Sequence, residues 1–144
     1  MFSKSCEYGL RATIYIAQQT TLNNKVHLNT IAQEIGSPQP FTAKVLQLLA
    51  KNNIVKAIKG PHGGFLIDEK NLKTLLLSDI VNAIDGNKIY TGCGLGLKQC
   101  DANSPCPLHD NFIAIRENLK TMLESTTLKS LEHDMNTNLV WLKR

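Results

Sequence analysis

The sequence lacks any run of about eighteen apolar residues, the length a helix needs to cross a bilayer, so no segment reads as a membrane span. An uninterrupted apolar leader is missing too: the stretch from Met1 to Gln19 carries Lys4, Glu7 and Arg11, which a signal peptide's core does not tolerate. Both absences lead us to expect a cytoplasmic protein. The usual marks of an enzyme are also absent. No general acid and base are paired, no phosphate-binding loop occurs, and no nucleophile has a base except Cys and His residues better explained as ligands. Acidic residues are absent between Glu34 and Asp68, where Lys44, Lys51, Lys56, Lys59 and His62 stand instead. That stretch carries a formal charge of +4, equal to the net charge of the whole chain, and it reads as a basic face that either is simply solvated or meets nucleic acid.

What is present is one domain's worth of chain, 144 residues and 42% hydrophobic, enough to bury a core without staples. Apolar spacing predicts a first helix from about Ser5 to Gln19, with Leu10, Ile14 and Ala17 on one stripe. After a turn at Asn23 and Asn24, a short helix is expected from Asn29 or Thr30, where Thr30 and Gln33 resemble a capping box, to Gly36. Ser37, Pro38, Gln39 and Pro40 form a break, since proline donates no backbone hydrogen bond, yet Pro40 suits the first turn of a third helix running to about Asn52. Phe41, Val45, Leu48 and Leu49 are its expected buried stripe. Two short helices joined by a tight turn make a helix-turn-helix.

Beyond it the period changes. Ile54 to Ile58 and Phe65 to Ile67 flank a glycine-rich turn and predict a two-stranded hairpin, a wing. A short helix from Leu77 to Asp85 closes at Gly86, and a loop rich in glycine and cysteine occupies Asn87 to Pro105. A long helix is expected from Cys106 to about Ser125, whose Phe112, Ile115, Leu119 and Met122 suit packing against another long helix, either in a homodimer or on its own domain. The tail from Thr127 to Arg144 holds a short amphipathic piece and Trp141, which we expect simply to pack. The fold class is mainly α with a small β-hairpin wing. Residues 1–86 form the DNA-binding domain, 87–105 a metal-binding loop, and 106–144 a dimerisation helix and tail.

A helix-turn-helix sets the N-terminal part of its second helix in the major groove, which makes Gln39, Thr42, Ala43 and Lys44 the candidate readers. Ala43 is too short to do more than touch a thymine methyl group, while Lys44 and Lys51 suit phosphates. Lys59 and His62 sit at the wing tip, where the turn reaches phosphates or a minor groove; an ordinary exposed turn is the plain alternative for His62. A winged helix that binds protein is the rival to one that binds DNA, and the lysine-bearing, acid-free surface favours DNA.

Of the four cysteines, Cys93, Cys100 and Cys106 crowd into one loop, which in a reducing cytosol argues for metal or redox chemistry over disulfides. Gly92, Gly94 and Gly96 give that loop backbone freedom, and Cys106 precedes Pro107 at an expected helix start, where the positive helix end favours a thiolate. A fourth donor comes from His109, one turn on, or from Glu7 of a partner subunit, with Asp110 a weaker choice. The spacing lacks the paired C-x2-C knuckles of structural zinc, so an iron-sulfur cluster ranks ahead of zinc and zinc ahead of a thiol switch.

The helix-turn-helix, the wing Lys59 to Leu66, the Asp79 to Ile84 helix and the three-cysteine loop together resemble the Rrf2 family of bacterial regulators over about residues 1–125. The resemblance implies a homodimeric repressor that reads a near-palindromic double-stranded operator and holds a cluster, 2Fe-2S ahead of 4Fe-4S, through Cys93, Cys100 and Cys106. It offers His109 as fourth ligand by likeness to the iron-sulfur assembly repressor, and Glu7 by likeness to the nitric-oxide sensor. One departure is that six residues separate Cys93 from Cys100 where the family commonly has one fewer; the extra one falls in the glycine-rich stretch.

Overall fold

A computed structural model describes residues 1–137, 140 and 142. Helix α1, Lys4–Thr21, runs through the middle of the molecule, capped by Ser3, whose hydroxyl accepts the Cys6 N–H. Its buried face is not the expected stripe. Cys6, Gly9, Ala12, Thr13, Ile16 and Ala17 are inside, while Leu10 and Ile14 sit only half-buried at the edge of the core. The reason is that α1 touches helices on several sides, so small residues are needed where neighbours come closest. At Gly9 a Cβ would lie 2.1 Å from Ile84 Cδ1, so a larger residue there would drive α1 off its neighbour.

Helix α2, Leu28–Ile35, buries Ile31, Ala32 and Ile35 and ends at Gly36 in the left-handed region (φ 64°). It starts earlier than Thr30, with His27 at the cap and no side-chain cap bond, so the Thr30 and Gln33 pair lies inside the helix and not at its start. Helix α3, Gln39–Lys51, follows the Pro38 break; its buried residues are Thr42, Val45, Leu46 and Leu49, with Phe41 and Leu48 half-buried. The wing is the antiparallel pair β1, Lys56–Ile58, and β2, Gly64–Leu66, with Ala57 opposite Phe65. Ile54 and Val55, expected in the first strand, instead plug the core just before it. Phe65 also bridges to Val26, which fastens the wing to the start of α2.

Helix α4, Glu69–Thr74, was not anticipated: it is capped by Asp68, which accepts the Asn71 N–H, and is too short to show a period. Helix α5, Leu77–Asp85, closes at Gly86 as expected. A single-turn helix α6, Lys88–Thr91, opens the cysteine loop. Helix α7, His109–Ser125, begins later than Cys106, and helix α8, Leu128–Asn136, folds the tail back against α1 and α4. Leu123 and Leu128 are fully buried in the same core as Ile16, Leu46 and Ile80, so the C-terminal helices share the hydrophobic centre of the first five. Truncating one such residue to alanine costs about 2–5 kcal/mol. Trp141 lies outside the described residues. Among the described residues no helix is long and apolar enough to cross a membrane.

Candidate functional site

The candidate reading helix, α3, is set by an interlock the sequence did not reveal. Arg11 donates to the Ile35 carbonyl at the end of α2 (2.8 Å) and lies over the Tyr8 ring (4.8 Å), and that ring packs edge-on against Phe41 at the start of α3 (5.4 Å). One cation and two rings thus tie α1 to both halves of the helix-turn-helix. Presented outward from this frame are Gln39, Lys44, Lys51, Lys59 and His62, all exposed, with Ala43 half-buried. Thr42 does not join them. It is fully buried, and its hydroxyl donates to the Pro38 carbonyl (3.0 Å) and shares a short hydrogen bond with Ser37. It sits in the first turn of α3, where its hydroxyl closes on the Ser37 and Pro38 turn, and it is removed from the reading set on that ground.

The cysteine loop lies against α7. Cys93 Sγ stands 3.9 Å from Cys106 Sγ, and Cys100 Sγ stands 3.4 Å from His109 Nδ1. These are not disulfide distances; all four cysteines are free thiols. Two donors bonded to one tetrahedral metal at about 2.0–2.3 Å are separated by about 3.5–3.8 Å. Both pairs come close to that separation, so each pair is spaced as two donors to one metal would be. Among the described residues no three His, Cys, Asp or Glu side chains converge on a single point. Cys93 and Cys100 share the lining of a cavity of about 620 Å³ with Lys88 and Lys98, cations suited to an anionic group.

The Cys93 thiol is drawn below the ordinary range, first by hydrogen bonds from the backbone of Leu95 and Leu97, and further by Cys106 and the charge of Arg116. His109 is buried and is the first residue of α7. The expected helix start at Cys106 is corrected: residues 106–108 make a turn closed by the His109 N–H on the Cys106 carbonyl (3.0 Å), and Leu108 is the cap. Glu7 is engaged on α1 by Lys4 (2.7 Å), whose ammonium holds its carboxylate below the usual range, and its charge acts on the neighbouring Cys6 of the same helix.

Sequence reasoning missed two supports of the loop. Gly94 lies on the Phe112 ring, where a Cβ would come within 2.4 Å of its carbons. Arg116 donates to the Gly92 carbonyl, and both its Nη atoms are 3.5 Å from Cys100 Sγ. The spacing of His109, Phe112 and Arg116 on one helix face was a legible signal for both.

The α7 stripe expected to meet another helix divides in two. Phe112 and Leu119 are half-buried on the protomer, while Ile115 and Met122 remain exposed at 51% and 44%.

Comparison with known proteins places residues 2–134 in a match to the family described as "Rrf2: Iron-dependent Transcriptional regulator". A protein of Aquifex aeolicus assigned as an HTH-type transcriptional regulator is 30% identical over 133 residues, covering 91% of this chain and 90% of that one. The HTH-type transcriptional regulator IscR of Yersinia pseudotuberculosis is 23% identical over 129 residues, covering 90% and 77%. Among solved structures, IscR of T. potens superimposes with a TM-score of 0.75 at 21% identity, covering 97% of this chain and 91% of that one. CymR, the global cysteine regulator of B. subtilis, gives 0.73 at 22%, covering 92% and 96%. Both share the mainly helical fold with its hairpin wing.

Proposed function

The chain belongs to the Rrf2 family of transcription regulators, not of enzymes, and from that premise we propose that it is a cytoplasmic homodimeric repressor whose operator affinity is set by a 2Fe-2S cluster. The observation that carries this reading is the presence of two donor pairs, Cys93 with Cys106 and Cys100 with His109, each spaced for one metal. A two-iron centre takes two protein donors per iron, which is why we place 2Fe-2S ahead of 4Fe-4S and His109 ahead of Glu7 as fourth ligand. When bound, the cluster supplies a redox-active and chemically labile group inside the loop.

The chain's own residues do the rest. Ile115 and Met122 on α7 meet their counterparts across a twofold axis, and the two α3 helices then face successive major grooves about 34–36 Å apart. Gln39, Ala43 and Lys44 address base edges and nearby phosphates, Lys51 and Lys59 neutralise phosphates, and His62 enters at the wing. A twofold reader requires a near-palindromic operator. The loop of residues 87–105 bears on α7, so ordering it fixes how the two reading heads are held.

The test is anaerobic purification with a visible spectrum and iron and sulfide analysis, on wild type and on Cys100→Ala, followed by operator titration of loaded and metal-free protein at matched salt. Sulfide-to-iron bands that vanish in the variant, with different operator affinities for the two forms, are expected. Equal affinities, or a wild type that takes up no iron and sulfide, refute the proposal.

A second reading has one observation in its favour. The 3.9 Å between Cys93 and Cys106 leaves two thiols about 2 Å short of a bond. With hydrogen peroxide as oxidant, the two thiols would give up two protons and two electrons to form a disulfide, and the peroxide would become water. Reversible disulfide formation in a protein free of iron would favour this thiol switch.

A further inference from the structure

Helix α7 offers the cysteine loop three side chains in succession, and only one is a metal donor. His109 faces Cys100, Phe112 lies under Gly94, and Arg116 reaches both Cys100 and the Gly92 carbonyl. Gly92 is the residue before Cys93, so one guanidinium grips both ends of the segment that joins the first two cysteines. Gly92 also donates its own N–H to Lys88 of α6 (2.8 Å), which makes the grip continuous from α7 through the loop to α6. The ion pairs among the described residues do not include Arg116, so its charge is directed at the sulfur and the carbonyl and not at a carboxylate. Lysine would not serve equally. A planar fork with several N–H groups satisfies two acceptors at once in fixed geometry, whereas an ammonium is a point donor on a flexible stem.

We infer that Arg116 is a positioning residue of the metal centre: it holds the Cys100 arm in place before a metal arrives and donates to the Cys100 sulfur afterwards. The second half of this inference rests on the cluster reading above; the first half does not. A donor to a ligating sulfur favours the more electron-rich state of a cluster, so its removal lowers the reduction potential. Charge-assisted bonds of this kind are strong enough that losing them raises the open population of the loop by about tenfold.

The experiment compares wild type with Arg116→Gln, Arg116→Lys and Lys120→Gln, the last being one turn further along the same helix. Metal-free protein is digested briefly with trypsin and cleavage after Lys98, in the middle of the gripped segment, is followed by mass spectrometry. Reconstituted protein is titrated for reduction potential. The expected result is cleavage about tenfold faster in Arg116→Gln, an intermediate rate in Arg116→Lys, and a wild-type rate in Lys120→Gln, with unchanged melting temperature throughout. In the loaded protein the potential falls in both Arg116 variants. Wild-type cleavage in Arg116→Gln overturns the inference, and an unchanged potential overturns the sulfur contact. If wild type takes up no cluster, the functional proposal fails while the cleavage rates still decide the role of Arg116.

Discussion

Replacing Thr42 by valine separates a structural residue from a DNA-reading one. The two side chains have nearly the same shape and both are branched at Cβ, so the substitution opens no cavity and changes helix propensity little. What it removes is a hydroxyl with two partners, the Pro38 carbonyl at 3.0 Å and the Ser37 hydroxyl. The Pro38 carbonyl keeps a second donor, the Thr42 N–H at 2.9 Å, and Pro38 itself is exposed, so neither partner is left stranded in the core. The cost therefore falls at the low end for a buried hydrogen bond, about 1–2 kcal/mol. For a chain of this size the melting temperature drops by roughly 3–6 °C. Calorimetry reads that shift, and operator titration well below the transition should show affinity within about twofold of wild type with an unchanged salt slope. Lys44→Ala is the opposite control: Lys44 is exposed, so melting is unchanged while the slope of log affinity against log salt falls by about 0.9 for the lost phosphate contact. If Thr42→Val melts like wild type but loses discrimination at one base pair, the burial argument is refuted and Thr42 belongs with the readers.

Gly94→Ala puts a methyl group within 2.4 Å of the Phe112 ring, an overpacking cost of about 1–3 kcal/mol confined to the loop; iron bound per protomer on reconstitution should fall while the melting transition stays put. The Cys6 thiol is pushed up to about 12, by burial first and by the nearby Asp85 carboxylate second. Because the folded value lies above the unfolded one, the stability tied to the neutral thiol is fully present below about pH 9 and is lost as pH rises toward 12, at a slope of up to ~1.4 kcal/mol per pH unit. Urea titrations across that range should show the decline, and Cys6→Ala should flatten it. Tyr90 carries a buried hydroxyl with no hydrogen-bond partner among the described residues, so Tyr90→Phe should leave unfolding free energy unchanged or raise it by about 1 kcal/mol; a loss would show that the hydroxyl is bonded in solution.

The parts of the fold marked by punctuation were legible in the sequence. Gly36 and the Pro38 and Pro40 break delimit α2 and α3, the glycine-rich turn delimits the wing, and Gly86 ends α5, because each places a residue where its backbone preference leaves few alternatives. The phase of each helix was less legible. On α1 the obvious apolar residues Leu10 and Ile14 are peripheral, since the face that meets α2, α3, α5 and α8 needs Gly9, Ala12 and Thr13 for close approach, and no pattern of hydrophobicity says where neighbours crowd. Thr42 looked like a polar reader because its satisfaction by Ser37 and Pro38 depends on the geometry of the turn. Pro107 suggested that α7 begins at Cys106, yet the chain spends Cys106 to Leu108 on a turn that carries His109 to Cys100. The presence of the three cysteines in one loop was legible; their division into a pair with each other and a pair with histidine was not, because spacing alone does not order four side chains.

In the proposed regulator, that division bears on how the site would reach the DNA. The loop rests on α6 and α7, and α7 packs against α5, while α5 also touches α1 and the reading helix α3. At that junction Ile84 of α5 sits over Gly9 of α1, with Val45 of α3 only 3.3 Å from where a Gly9 Cβ would lie, so three helices meet without a gap for any of them to move alone. A close-packed junction transmits displacement instead of absorbing it, because side chains already in contact can shift only together. A change in how Arg116 and His109 hold the loop therefore has a short packed route to α3 inside one protomer, through α7 and α5. It has a second route through the exposed Ile115 and Met122 to the spacing of the two protomers in the proposed dimer. The two routes make different demands on the operator. Tilting α3 within a protomer alters contacts inside each half-site, whereas changing the spacing alters the fit between half-sites, and only the latter is compensated by inserting or removing a base pair at the operator's centre.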